Sequence, residues 1–142
     1  MLALSEGHLC RASNFVADRS ETIERMTPAP VKPVIGMDTL DKIDIRVGTI
    51  TAVDDVPGSD KLLCLTVSFG DHSRTILSGM KQERANPQEI VGAQALFVVN
   101  LEPRKMRGIL SEGMLFDAGF ADGILPALLS PERPLPEGTR AG

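Results

Sequence analysis

The stretch Ile43-Asp44-Ile45-Arg46-Val47-Gly48-Thr49-Ile50-Thr51-Ala52-Val53 decides how the rest of the chain folds. Ile43, Ile45 and Val47 alternate with Asp44, Arg46 and Gly48, which is the two-residue period of a strand. Apolar character continues through Ile50 and Val53, so the strand is long. Gly48 in its interior marks a bulge or bend, the device that lets one strand of a small barrel serve two sheets.

Working outward, residues 54–60 with Pro57-Gly58 read as a turn. Leu63, Leu65, Val67 and Phe69 then alternate with Cys64, Thr66 and Ser68 as a second strand, and Gly70-Asp71 turns into a third at residues 74–77. Asn86 before Pro87 is a helix-start signal, because Asn caps free amides and Pro tolerates the first helical position. It predicts a short helix over residues 87–91, closed by Gly92. Residues 96–99 are apolar on both faces and read as a buried fourth strand, and residues 113–118 as a fifth. Upstream, residues 38–42 suit a single helical turn. An all-β chain with a short helix, three strands before it and two after, and a bent first strand, matches the five-stranded OB barrel. In that fold ligands lie across strands 2 and 3, between the loops joining strands 1–2 and 4–5. Here those loops are residues 54–61 and 100–112.

The second loop reads Asn100-Leu-Glu-Pro-Arg-Lys-Met-Arg-Gly-Ile-Leu-Ser-Glu112, long for a hairpin connection. Arg104, Lys105 and Arg107 put three cations within four positions, and Leu101, Met106 and Ile109 offer apolar anchors. On composition alone a solvated basic turn is an equal reading. Its coincidence with a ligand loop of the fold favours an anion site.

Charge limits that site. The chain of 142 residues carries a formal net charge of −4, and all of it falls on residues 37–142. A nucleic-acid binder is expected to be basic over its binding face, so any such face must be a local patch with steeply salt-dependent affinity. There is no Trp and no Tyr, and the five Phe all sit in apolar surroundings of the sequence. Holding a single strand by stacking needs exposed rings, so stacking is not expected here.

The length suits one domain, placed at residues 34–142. Residues 1–33 are expected to be a mobile extension, with a short helix at 20–26 and a linker, Thr27-Pro-Ala-Pro-Val-Lys-Pro33, that holds three prolines. No apolar run approaches the roughly 18 residues of a membrane span, and acids near the N-terminus argue against a signal or transit peptide. Cys10 and Cys64 encode neither a disulfide framework nor a zinc site. A cytoplasmic setting with no metal and no cofactor is the expectation. Nor is an enzyme expected: His8 and His72 lack partners by motif, and Ser78-Gly-Met is not a nucleophile elbow.

Five motifs now stand in order: Asp44-Ile-Arg-Val-Gly48, Pro57-Gly-Ser-Asp-Lys-Leu-Leu63, Ser78-Gly-Met80, Pro87-Gln-Glu-Ile-Val-Gly92, and Asn100-Leu-Glu-Pro-Arg-Lys-Met-Arg-Gly108 with Ser111-Glu-Gly-Met114. Over residues 35–120 the chain resembles the tRNA-binding domain family, which includes appendages of methionyl-tRNA synthetases and free-standing dimeric proteins. It departs at Val56, where the family often has His, and at residues 82–86, which lack an aromatic the family often carries. The resemblance implies tRNA binding by shape, at the outer corner of the L, either free-standing or beside an aminoacyl-tRNA synthetase. A-form RNA is read through its backbone and 2′-hydroxyls, which agrees. Lys61, Arg104, Lys105 and Arg107 would then meet phosphates, and Asn100, Ser78 and Ser111 would supply hydrogen bonds. Met114, with Gly79, would shape the loop. Asn100 has a second reading as a strand-end residue that satisfies its own turn. One branch of the family is described as a dimeric secretion-related chaperone for apolar peptides, which is the rival function. Phe120, Ile124, Leu125, Leu128, Leu129 and Leu135 are too many apolar residues for a solvated tail. They point to a homodimer.

Overall fold

The computed structural model describes residues 27–142, and the unit that carries the sheet runs from Val31 to Gly142. The helix expected at residues 20–26 and most of the expected extension lie outside the described residues. A one-turn helix α1 (Met37–Leu40) precedes β1 (Ile45–Asp55), β2 (Leu63–Ser68) and β3 (Ser73–Ser78). Two 3₁₀ turns follow, Lys81–Glu83 and Pro87–Ile90, then β4 (Gln94–Val98). Asn86 caps the second turn, its side chain accepting from the Gln88 amide. Five short pieces come next: β5 (Arg104–Met106), β6 (Ile109–Ser111), β7 (Met114–Leu115), β8 (Asp117–Ala118) and β9 (Ala127–Leu128). The last strand, β10 (Arg140–Ala141), returns to β1.

The main sheet is antiparallel, in the order β3-β2-β1-β4-β7, and curls into an OB-like half-barrel. Strand β1 makes this possible because it has two partners in succession. Residues 45–49 pair with β4, residues 49–55 pair with β2, and the register shifts between Ile50 and Ala52. The curled sheet wraps a core whose largest fully buried side chains include Phe97, Ile50, Leu63, Leu65 and Ile76. Gly48 lies where the inner face is most crowded. A Cβ there would come within 2.5 Å of Val67 Cγ1 and 2.9 Å of Phe69 Cε1.

Two expectations change. The single fifth strand at residues 113–118 is two pieces, β7 on β4 and β8 on β9, because the chain leaves the barrel at Phe116. The tail is also used mostly on its own barrel. Leu128 packs on the core, Leu129 O accepts from Leu96 N at 3.1 Å, and the Gln94 side-chain amide exchanges two hydrogen bonds with the Leu135 backbone. Phe120 and Leu125 stay exposed, as does a second apolar group formed by Met37, Leu40, Ile43 and Phe116.

Replacing Gly48 with Ala should force Val67 and Phe69 aside and destabilise the domain by about 1–3 kcal/mol, the usual cost of overpacking a filled core. Urea unfolding of the two proteins checks this.

Candidate nucleic-acid interface

The loop expected between the fourth and fifth strands is an ordered hairpin. Strands β5 and β6 pair in register Arg104↔Ser111, Lys105↔Leu110 and Met106↔Ile109, joined by the two-residue turn Arg107-Gly108. Both turn residues have positive φ, +50° and +80°, which is the type I′ pattern that suits the twist of a hairpin. Gly108 adopts it freely, whereas Arg107 is the sole non-glycine residue at positive φ among the described residues. The left-handed conformation costs an L-residue about 1–2 kcal/mol.

Both feet of the hairpin are anchored to β3. Arg74 on β3 donates from Nη1 to Val99 O at 2.6 Å and to Glu112 O at 3.1 Å, so one guanidinium holds the two ends of the excursion. Arg74 is itself steered by His72, whose Nε2 accepts from Arg74 Nε at 3.1 Å. The seam between β3 and the hairpin is closed partly by side chains. Leu77 N donates to Ser111 Oγ at 3.0 Å, Thr75 N donates to Glu112 Oε1 at 3.2 Å, and Glu112 N donates to Thr75 O at 2.8 Å.

Arg104, Lys105 and Arg107 are exposed and, among the described residues, make no ion pair. Arg107 reaches the loop between β1 and β2: its Nη1 lies 3.9 Å from where a Gly58 Cβ would stand. Lys61 is exposed at the end of that same loop, and its carbonyl accepts from Lys81 N. Lys81 is instead paired with Asp55 at 3.2 Å. The two loops expected to form the ligand site therefore meet at Arg107.

The remaining candidates divide. Ser111 is 4% exposed, and its hydroxyl both accepts from Leu77 N and donates to Gly113 O, so it closes the barrel seam. Asn100 is exposed, yet its side chain accepts from Asp44 N at 2.9 Å and donates to Lys42 O at 2.5 Å. It ties the hairpin's first foot to the start of β1. Ser78 and Met114 line a different feature, a cleft of about 240 Å³ shared with Gly79, Glu83, Asp117 and Phe120. Leu101, expected as an apolar anchor, is 48% exposed, because it lies outside the paired part of the hairpin. Sequence reasoning missed Arg74. Its only signal was a cation inside a strand period, where an apolar or small polar residue is usual.

At the other end of β1, Asp44 accepts from Arg46 at 2.7 and 3.0 Å and faces Arg140 at 3.5 Å. The Arg46 hydrogen bond first, then the charges of Arg46 and Arg140, hold its carboxyl below the usual carboxylate range against the opposing effect of burial. Its cations are thus occupied, unlike those of the hairpin. No group of three metal-ligating side chains occurs among the described residues. No helix among them is long and apolar enough to cross a membrane.

The family model described as "Putative tRNA binding domain" matches residues 45–140, the whole of the barrel and its returning tail. The chain belongs to that tRNA-binding domain family. Within it, a methionine–tRNA ligase of Parabacteroides distasonis is 44% identical over 110 residues, covering 78% of this chain. The match takes in 16% of that relative, so the chain spans about a sixth of its length. A MetRS related protein from Pyrococcus horikoshii superimposes with a TM-score of 0.72 at 31% identity, over 78% of this chain and 100% of that one. The CsaA chaperone of Bacillus anthracis gives 0.66 at 26% identity, again over 78% of this chain and 100% of its own.

Arg74→Ala should release both feet of the hairpin and leave two carbonyls without their charged donor. Exchange of the Glu112 amide should accelerate, and global stability should fall by about 1–3 kcal/mol. Hydrogen-exchange NMR with denaturant unfolding reads both effects.

Proposed function

We propose that this chain is a non-catalytic module of the cytoplasm that binds tRNA by shape and backbone, acting free-standing or beside an aminoacyl-tRNA synthetase. The binding unit is the barrel, residues 34–142. The observation that carries the reading is the hairpin clamped by Arg74, whose three cations make no ion pair among the described residues, set against a chain of net charge −4. An acidic body repels the phosphates of a nucleic acid, so a cluster of free cations biases where its backbone first meets the protein. Arg104, Lys105, Arg107 and Lys61 meet phosphates, the arginines with the option of bidentate contact. Asn100 and Ser111 act through the hairpin by fixing its first foot and its seam. Ser78 and Met114 take a place beside it in the cleft. Curved backbone recognition suits a folded RNA whose base edges are hidden in an A-form groove. The synthetase setting is supported by the methionine–tRNA ligase relatives.

The module acts as a homodimer. The groove lined by Met37, Leu40, Ile43, Ile45, Phe116 and Ala141, with Asp41 and Arg140 beside them, lies along β10, which among the described residues pairs on one side only. An open edge flanked by apolar side chains suits a two-fold partner that presents the same surface back. Two copies would also bring two hairpins to one RNA, which offsets the few cations of each.

The same groove and the CsaA neighbour support a second reading, binding of apolar peptide segments. Salt separates the two, since apolar binding survives it and phosphate contacts do not. For tRNA, log affinity against log salt should fall with a slope of roughly −2 to −4, as for about three to five phosphate contacts. Arg104→Ala with Lys105→Ala should flatten that slope by about 1.5–2 and leave the melting temperature unchanged, because exposed charges contribute little stability. A flat slope for the wild type overturns the reading.

Sedimentation at micromolar concentration should give twice the 15.2 kDa of the chain. Phe116→Glu should return it to a monomer, and a monomeric wild type removes the dimer.

A further inference from the structure

Of the five phenylalanines, Phe69 and Phe97 are in the core, but Phe120 is 81% exposed. The apolar sequence around Phe120 is misleading because the residue sits in a three-residue 3₁₀ turn between Gly119 and Gly123, both at positive φ. That turn borders a cleft on the barrel. It presents the ring to the cleft lined by Ser78, Gly79, Glu83, Met114 and Asp117. The segment at residues 82–86 contributes Glu83 to this same cleft. Phe120 supplies a ring from the opposite side of the sequence.

We propose that this cleft binds one unpaired nucleobase of the tRNA, stacked on Phe120 and held by its amino edge. An exposed ring is a stacking platform for any base, and unpaired bases splayed out of RNA are bound by aromatic stacking with hydrogen bonds to their edges. Met114 packs the cleft with a polarisable, adaptable side chain. Glu83 and Asp117 give the cleft its selectivity. Neither carboxyl has a side-chain hydrogen bond among the described residues, and together they disfavour a phosphate. What they accept is an N–H donor. Burial, then the neighbouring Asp117, pushes the Glu83 carboxyl above the usual carboxylate range, with Arg84 opposing. A base with an exocyclic amino group offers two N–H donors to these acceptors, whereas uracil has the single N3–H, flanked by two carbonyl oxygens that the carboxylates repel. Met114 follows the hairpin by two residues, so a tRNA backbone on Arg104 and Lys105 delivers a neighbouring base to the cleft. The proposal rests on tRNA binding at the hairpin.

The chain has no Trp, so Phe120→Trp in the full-length protein places a single emission reporter in the cleft. Quenching of that emission on tRNA addition is the expected result. Phe120→Ala should lose roughly 5- to 100-fold in tRNA affinity, the range for one stacked base, with the salt slope and melting temperature unchanged. Oligocytidylate should quench the Trp variant at lower concentration than oligouridylate of the same length, and equal or reversed order overturns the amino-edge assignment. Wild-type affinity in Phe120→Ala, with Arg104→Ala/Lys105→Ala still weakened, overturns the stacking site alone. If the hairpin variant also binds as wild type does, the tRNA reading itself fails. Loss of an apolar model peptide, but not of tRNA, from Phe120→Ala makes the cleft a peptide site and overturns the proposal.

Discussion

One strand has to serve two partners, and the rest of the molecule depends on how it does so. The first half of β1 pairs with β4 and its second half with β2, with the switch at Thr49, which pairs with both Ser68 and Gln94. A strand can turn through that change of partner only if its inner face is vacated at the bend. Gly48 vacates it, and Val67 with Phe69 take the space a side chain would have filled. Without the bend the two sheet halves would lie flat, and the loop after β1 and the excursion after β4 would not meet. The contact of Arg107 with Gly58 is thus a consequence of packing some distance away.

The half-barrel closes differently on its other side. Between β3 and β6 the joint is a mixture of one backbone bond, the Ser111 hydroxyl, the Glu112 carboxylate and the Arg74 guanidinium. Side-chain closure of this kind joins the basic hairpin to the core by groups that must all be satisfied, since a buried donor left unpaired costs about 1–3 kcal/mol. It also explains why polar residues in this stretch are easily taken for ligand contacts. Ser111 and Asn100 have the right chemistry for sugar or base, but the fold uses both already.

The β-strands were legible from the two-residue period because each has one buried face, as in the alternating burial of Leu63, Leu65 and Val67. The 3₁₀ turn at Pro87 was legible from its cap. The segment was legible as a long excursion from the barrel, though not as a hairpin. Arg-Gly is not among the usual type I′ pairs, and three-residue strands carry no measurable period. The tail was the least legible part. Its apolar residues are the right ones for a core satellite or for a partner, and only the pairing of β8 with β9 and of β10 with β1 decides how many remain free. Phe120 failed for the opposite reason, since local hydrophobicity does not reveal that a turn between two glycines at positive φ leaves its ring exposed.

The distribution of paired charge gives the last step. Arg46 and Arg140 share the single carboxylate of Asp44, while Arg84 pairs with Glu89, Arg133 with Glu132 and Lys81 with Asp55. Arg74 is bound to carbonyls. Lys32 and Lys42 also make no ion pair among the described residues, but only on the hairpin do three such cations, Arg104, Lys105 and Arg107, stand together, with Lys61 in the adjoining loop. Arg107 does so in a backbone conformation that Gly or Asn would occupy at less cost. A residue held in an unfavourable conformation, at the tip of a hairpin clamped at both feet, is hard to explain by stability. Strain of this kind gathers at ligand contacts. The φ of Arg107 is thus a further observation, beside its charge and exposure, that supports the proposed contact at the tip.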